Sequence, residues 1–320
     1  EKFKLELDKF DDRYNVALKQ HRAKTPITME RSRTIRKKSP QWLTKQRQES
    51  IGWENDSKVT YRGRYFKYLK KVGRSKDIIL ETERSTLNIV KNLGDPNSRK
   101  AFYKKGMVVG SVQSGKTANF NGVINTAIDA GYKMVIVLSG LMEDLRVQTQ
   151  KRIELDVVGP KRGGVGVGVG KGYPITDNYV NTITSIESDF SRNLLEADFD
   201  KYSTTKILIC KKNVSILRNI LLWLNESISE EHPLIDDLPL LIIDDEADNA
   251  SLNNLGYKGV EFATRTNKEI RSILALFSKK SYLGYTATPF ANVLQDRNEI
   301  LDTKNIFTHK KENYNFEMVP

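Results

Sequence analysis

Residues that build disulfides and metal centres are scarce in this chain. One cysteine, Cys210, and three histidines stand among 320 residues. A single cysteine excludes an internal disulfide framework and points to a reducing, cytoplasmic compartment. His21, His232 and His309 lack metal-ligand spacing, and no nuclease constellation is visible. Long apolar runs are missing too. None approaches the roughly 20 residues needed to cross a bilayer. The start, Glu1-Lys2-Phe3-Lys4-Leu5, lacks the apolar segment of a signal peptide. No membrane partner is expected. Internal repeats and long low-complexity tracts are absent as well. With no initiator methionine and no recognisable element closing at Val319-Pro320, the chain is expected to be a piece of a longer protein.

Acid is missing only locally. Asp and Glu number 40 against 52 Lys and Arg, a net charge of +12. From Arg31 to Arg47 there is no acidic residue, while Arg31, Arg33, Arg36, Lys37, Lys38, Lys45 and Arg47 are all basic. From Lys58 to Lys76, eight basic residues again have no acidic neighbour. Such runs suit a phosphate backbone, and they serve solubility equally well. DNA is the expected partner, with Arg36, Lys37 and Lys38 as candidate contacts. Tyr61, Tyr65 and Tyr68 recur at helical spacing inside the second run. That spacing favours packing on a core, and stacking against bases is the alternative.

What the chain does have is a strand running into a glycine-punctuated loop. Met107-Val108-Val109 leads into Gly110-Ser111-Val112-Gln113-Ser114-Gly115-Lys116-Thr117. The pattern Gly-x-x-x-x-Gly-Lys-Thr is the phosphate-binding loop called Walker A. Gly110 and Gly115 let the backbone curl so that N–H groups point inward at phosphate oxygens. Lys116 adds a point charge near the β- and γ-phosphates, and the Thr117 hydroxyl can ligand Mg²⁺. A helix should follow, because its N-terminal dipole supports an anion. Phe120, Val123, Ile124, Ala127 and Ile128 keep one apolar face, and Gly131 supplies a stop. ATP and Mg²⁺ are the cofactors this arrangement predicts.

Before the loop, Leu5, Phe10, Tyr14 and Leu18 hint at a helix, and Asp77 to Leu93 reads as another, capped by Gly94 and closed by Pro96. After it, strand and helix patterns alternate, which implies a parallel sheet. Met134 to Leu138 and Ile207 to Cys210 are continuous apolar runs, as expected for strands buried on both faces. Leu141 to Ile153 reads as a helix with Arg146, Gln148, Gln150 and Arg152 on its polar side. The Gly-x-Gly series Gly163 to Gly170, followed by Lys171 and Gly172, reads as a mobile loop or short ribbon rather than a dinucleotide site, because no clear strand and helix flank it. Leu217, Ile220, Leu221 and Leu224 mark a further helix.

Leu240-Leu241-Ile242-Ile243 then delivers Asp244-Asp245-Glu246-Ala247-Asp248 at its end. An apolar strand tipped with acid is the Walker B arrangement. A nucleotide-bound divalent metal needs a hard oxygen ligand, for which Asp245 is the choice. Glu246 can orient and deprotonate the attacking water. Asp236 and Asp237, just before the strand, read as loop charges. Ile270, Ile273, Leu274 and Phe277 form another helix face. Tyr282 to Tyr285 is a short strand ending in Thr286-Ala287-Thr288-Pro289. Hydroxyls there could hydrogen-bond the acidic tip and report the γ-phosphate state.

Taken in order, Gly-Lys-Thr, Asp-Glu-Ala-Asp and Thr-Ala-Thr-Pro resemble the first RecA-like domain of a superfamily-two helicase or translocase. Four longer strings, Val108–Thr117, Leu145–Gln150, Ile243–Ser251 and Gly284–Asn292, resemble the bacterial Z-one domain proteins, described as endonucleases and linked with phage-defence gene clusters. The resemblance runs from around Tyr61 to Asn292. It implies an α/β fold, a RecA-like P-loop NTPase domain over 101–295, with a mainly parallel sheet flanked by helices. A basic, mainly helical extension over 1–100 would precede it, and 296–320 would begin a following region. It implies ATP hydrolysis coupled to work on DNA, with Thr286 and Thr288 as the coupling motif and Arg146 and Gln148 on a strand-contacting motif. Other subunits or downstream domains of a defence system are further possible partners. Only 28 residues follow Asn292, too few for a second RecA-like domain. Since that domain supplies the arginine finger, the chain alone is expected to bind ATP but to hydrolyse it slowly.

Overall fold

The computed structural model describes residues 41–53, 60–110, 116–158, 180–191, 204–226, 228, 232–247, 256–287, 302–304 and 311–313. Among the described residues, three helices come first: α1 (Lys45–Ile51), α2 (Tyr61–Lys71) and α3 (Lys76–Asn92). Each begins at a hydroxyl cap. Thr44, Thr60 and Ser75 accept from the N–H groups of Arg47, Gly63 and Ile78, satisfying donors the first helical turn leaves unpaired. Gly52 closes α1 at φ +93°, a left-handed position that favours glycine.

Strand and helix then alternate as expected: β1 (Phe102–Val109), α4 (Lys116–Ala130), β2 (Met134–Ser139), α5 (Glu143–Ile153), β3 (Val180–Thr182), β4 (Thr205–Lys211), α6 (Val214–Asn225), β5 (Leu240–Asp244), α7 (Gly256–Ala275) and β6 (Lys279–Thr286). A π-helical turn, Glu154–Val158, extends α5. The six strands form one all-parallel sheet in the order β1-β6-β5-β2-β4-β3. Seven α-helices are present among the described residues. The protein is an α/β fold of the kind expected, consistent with a RecA-like domain. A separate two-stranded antiparallel ribbon pairs β7 (Asp302–Lys304) with β8 (Lys311–Asn313).

Alternation along the strands sorts the core into two layers. Val135, Val137, Ile207, Ile209, Leu241 and Ile243 face one side, where they pack with α4 and with Leu43, Tyr61, Val90 and Leu93 from the N-terminal region. Met134, Ile136, Leu208, Cys210, Leu240 and Ile242 face the other, against Leu217, Ile220, Leu224, Ile270 and Ile273. Cys210 is fully buried. Among the described residues, no helix is long and apolar enough to cross a membrane.

Three local expectations need correction. The sequence assigns α4 a single apolar face, yet Asn121, Gly122, Asn125 and Thr126 are buried as well. The reason is that α2, α3 and the π turn cover the second side. The described part of the N-terminal region is thus built into the core. Gly94 does not cap α3 with a positive φ. It is required because an added Cβ would lie 2.0 Å from the Phe102 ring. Finally, β3 is only three residues long and was not anticipated, since so short a stretch carries no periodicity. The 5–18 helix and the 163–172 glycine series lie outside the described residues.

Candidate nucleotide site

All six strands run the same way, so their C-terminal ends share one edge of the sheet. Along that edge lie Val109 and Gly110 from β1, Thr286 from β6, Asp244 and Asp245 from β5, and Ser139 and Gly140 from β2. The acid-tipped strand therefore stands two places from the loop-bearing strand, about 10 Å away. β6, the last strand of the sheet to be reached along the chain, fills the gap between them.

Lys116 opens α4, and its Nζ donates to the Gly110 carbonyl at 3.2 Å. The Gly110 N–H in turn donates to the Thr286 carbonyl at 3.1 Å. Loop start, Lys116 and the end of β6 are thus linked directly. Thr117 sits one residue further into the helix, where Arg152 from α5 donates to its hydroxyl at 3.2 Å. Ser111, Val112, Gln113, Ser114 and Gly115 lie outside the described residues.

The acidic tip is held from both sides. The Asp245 N–H donates to the Leu138 carbonyl of β2 at 2.9 Å, and the Ala247 N–H donates to the Tyr285 carbonyl of β6 at 2.8 Å. Gly284 permits this approach, since a Cβ there would come within 3.0 Å of the Ala247 Cβ. Between the two anchors Glu246 takes φ +56°, unusual for a residue with a side chain. Its N–H donates to the Asp245 carboxylate at 3.1 Å. Gly140 leaves space for its carboxylate, because a Cβ at that position would lie 3.1 Å from Glu246 Oε2.

The two aspartates have separate environments. Asp244 is buried, paired with Lys212 at 2.7 Å, and accepts from the Tyr282 hydroxyl at 2.5 Å. Burial and the neighbouring Asp244 charge push the Tyr282 hydroxyl well above its usual pKa. Asp245 is half-buried at the edge. Burial raises its pKa, and the Glu246 charge raises it further, while Lys212 and Lys116 pull it down.

This donor set fits a hard divalent cation arriving with phosphate. Asp245 and Glu246 are adjacent carboxylates whose mutual repulsion a cation would relieve, and Thr117 supplies a neutral oxygen. Among the described residues, no group of three or more His, Cys, Asp or Glu could hold a metal unaided. Mg²⁺ typically takes one or two carboxylates and fills its remaining positions with water and substrate phosphates.

Other candidates fall elsewhere. Arg146 has no exposed surface. Its Nε donates to Glu143 at 2.7 Å, and its terminal nitrogens donate to the Ser185 and Ile186 carbonyls at 2.8 and 2.9 Å. It clamps the 185–189 turn to α5, so the expected strand contact is corrected: a side chain with no accessible surface and its donors occupied cannot meet a nucleic acid. Gln148 is exposed on the same helix. Thr286 is buried at the loop junction. Thr288, Asp248, Arg36, Lys37 and Lys38 lie outside the described residues. Tyr61 and Tyr65 are in the core, the packing that their helical spacing favours, and the Tyr65 hydroxyl donates to the Ala118 carbonyl at 2.7 Å. Asp236 and Asp237 are exposed loop charges. Sequence reasoning missed Lys212, Gly140 and Tyr282, and it placed Arg152 only on a polar helix face. A lysine just past the end of an apolar parallel strand was the available signal for the first.

No family model matches this chain, and no curated protein matches it.

Proposed function

We propose that this chain is the ATP-binding and hydrolysing motor domain of a helicase-like DNA translocase related to the Z-one domain proteins of bacterial anti-phage defence. The observation that carries the reading is the shared sheet edge: Lys116 heads α4 beyond the end of β1, and Asp245 tips β5 two strands away along the same edge. In this reading ATP with Mg²⁺ supplies the reactive phosphoanhydride. Lys116 and the N-terminus of α4 hold phosphate charge. Thr117 and Asp245 hold the cation. Glu246 takes the proton of the attacking water. In the same reading Thr286, whose carbonyl accepts from the Gly110 N–H at the start of the loop, passes the occupancy of the site to whatever follows β6.

A second reading, a nucleotide-dependent switch acting on protein partners, is favoured by one observation. The first turn of α4 is tied to the N-terminal helices, through Tyr65 to Ala118 and through Asn119 to Ser85 at 2.7 Å. ATP turnover with and without DNA at low salt separates the two. The motor reading expects stimulation by DNA that fades as salt rises. A rate indifferent to both single- and double-stranded DNA overturns it in favour of the switch.

A further inference from the structure

Lys212 lies just beyond the end of β4, two strands from β5 across β2. It has no exposed side-chain surface, a costly position for an ammonium group. Its Nζ reaches across the end of β2 and makes two contacts. One is the ion pair with Asp244 Oδ1 at 2.7 Å; the other is a hydrogen bond to the Glu246 carbonyl at 2.6 Å. Asp244 alone would neutralise the buried charge. The contact to the Glu246 carbonyl does something else: it holds the peptide of the residue at φ +56°. Left-handed backbone at a side-chain-bearing residue persists only when its surroundings over-determine it. Three hydrogen bonds do so here: Glu246 N–H to Asp245, Ala247 N–H to Tyr285, and Lys212 to Glu246. The turn they fix sets where the Asp245 and Glu246 carboxylates stand.

We infer that Lys212 is a positioning residue for the acidic tip, holding the turn in the form that lets Asp245 and Glu246 meet a nucleotide-bound divalent cation. This rests on the nucleotide reading above. Lys212 belongs to none of the motifs of the sequence. It acts through the backbone of Glu246 and the buried carboxylate of Asp244, with Tyr282 closing the network on the other Asp244 oxygen.

The test is calorimetric binding of ATP to the full chain, in EDTA and in Mg²⁺, for the unaltered protein, K212M, K212M/D244N and K116A. The double variant leaves no unpaired buried charge, so it should regain the melting temperature that K212M loses. The expected result is that both Lys212 variants keep metal-free affinity within about twofold, yet lose at least about tenfold of the affinity gained with Mg²⁺, as removal of an outer-shell support does. A merely structural Lys212 predicts instead that the double variant recovers the Mg²⁺ gain along with the melting temperature. That result overturns the inference. So does failure of both Lys212 variants to fold, which assigns the residue to the core alone. If K116A binds ATP as well as the unaltered chain, the nucleotide reading itself falls. If K116A loses binding while K212M keeps the full Mg²⁺ gain, only the role of Lys212 falls.

Discussion

Gly122→Ala sets two effects of opposite sign against each other at the joint between the phosphate-loop helix and the N-terminal helices. Within a helix, alanine is favoured over glycine by about 1 kcal/mol. Gly122, however, faces α3 at close range. A Cβ there would stand 2.8 Å from Thr86 Oγ1 and 3.5 Å from Thr86 Cγ2, with the Tyr65 ring at 3.4 Å. Thr86 is fully buried, so its side chain cannot swing into solvent. Overpacking of this kind costs about 1–3 kcal/mol, which outweighs the propensity gain. G122A should therefore lower the unfolding free energy by about 1 kcal/mol. The Thr86 hydroxyl has no hydrogen-bond partner among the described residues, so T86A removes the obstructing atoms without breaking a bond seen there. In the T86A background the same Gly122→Ala change should stabilise by about 1 kcal/mol, giving a coupling energy of about 2 kcal/mol between the sites. Urea unfolding of the four proteins measures this. If G122A alone stabilises, or if the two changes simply add, the close packing of α3 on α4 is wrong.

Two further outcomes can be checked. Asp129 accepts from Trp53 Nε1 at 3.0 Å and from the N–H groups of Tyr61 and Arg62, both at 2.9 Å, and burial pushes its carboxyl up to about 6. The folded chain then keeps a proton that the unfolded chain has already released above its ordinary value near 4, so stability falls as pH rises between about 4 and 6, by about 3 kcal/mol. D129N should remove that part of the slope in denaturant unfolding followed against pH, and an unchanged slope refutes the assignment. For Arg146, replacement by Met leaves the Ser185 and Ile186 carbonyls without their donor and should cost about 2–4 kcal/mol of stability. The salt dependence of any DNA binding should not move, because a buried side chain neutralises no phosphate; a flatter salt slope in R146M returns it to the nucleic-acid surface.

Much of this fold was legible because strands buried on both faces announce themselves as apolar runs. Met134–Leu138, Ile207–Cys210 and Leu240–Ile243 all fall inside observed strands. The tips were legible because glycine, lysine and acid at the end of such runs are chemically conspicuous. Strand order was not. Nothing local in Tyr282–Tyr285 says that it pairs with both β1 and β5, since lateral position in a parallel sheet is set by crossovers and packing. The N-terminal helices were legible only in part, for a related reason. The helical spacing of Tyr61 and Tyr65 favoured the core packing they adopt, but nothing in the basic runs around them says that they and Val90 complete the core beside α4. Arg146 shows the limit of reading charge as surface: its partners, the carbonyls of residues 185 and 186, lie some forty residues away and carry no side-chain signal.

The central claim is that a nucleoside triphosphate sits between Lys116 and Asp245, and equilibrium binding of ATP in the presence of Mg²⁺ tests it most directly. The account predicts saturable binding that K116A weakens by about tenfold or more, as loss of a charge-assisted phosphate contact should. Equal affinity in the unaltered and K116A proteins, or no binding at all, would contradict it.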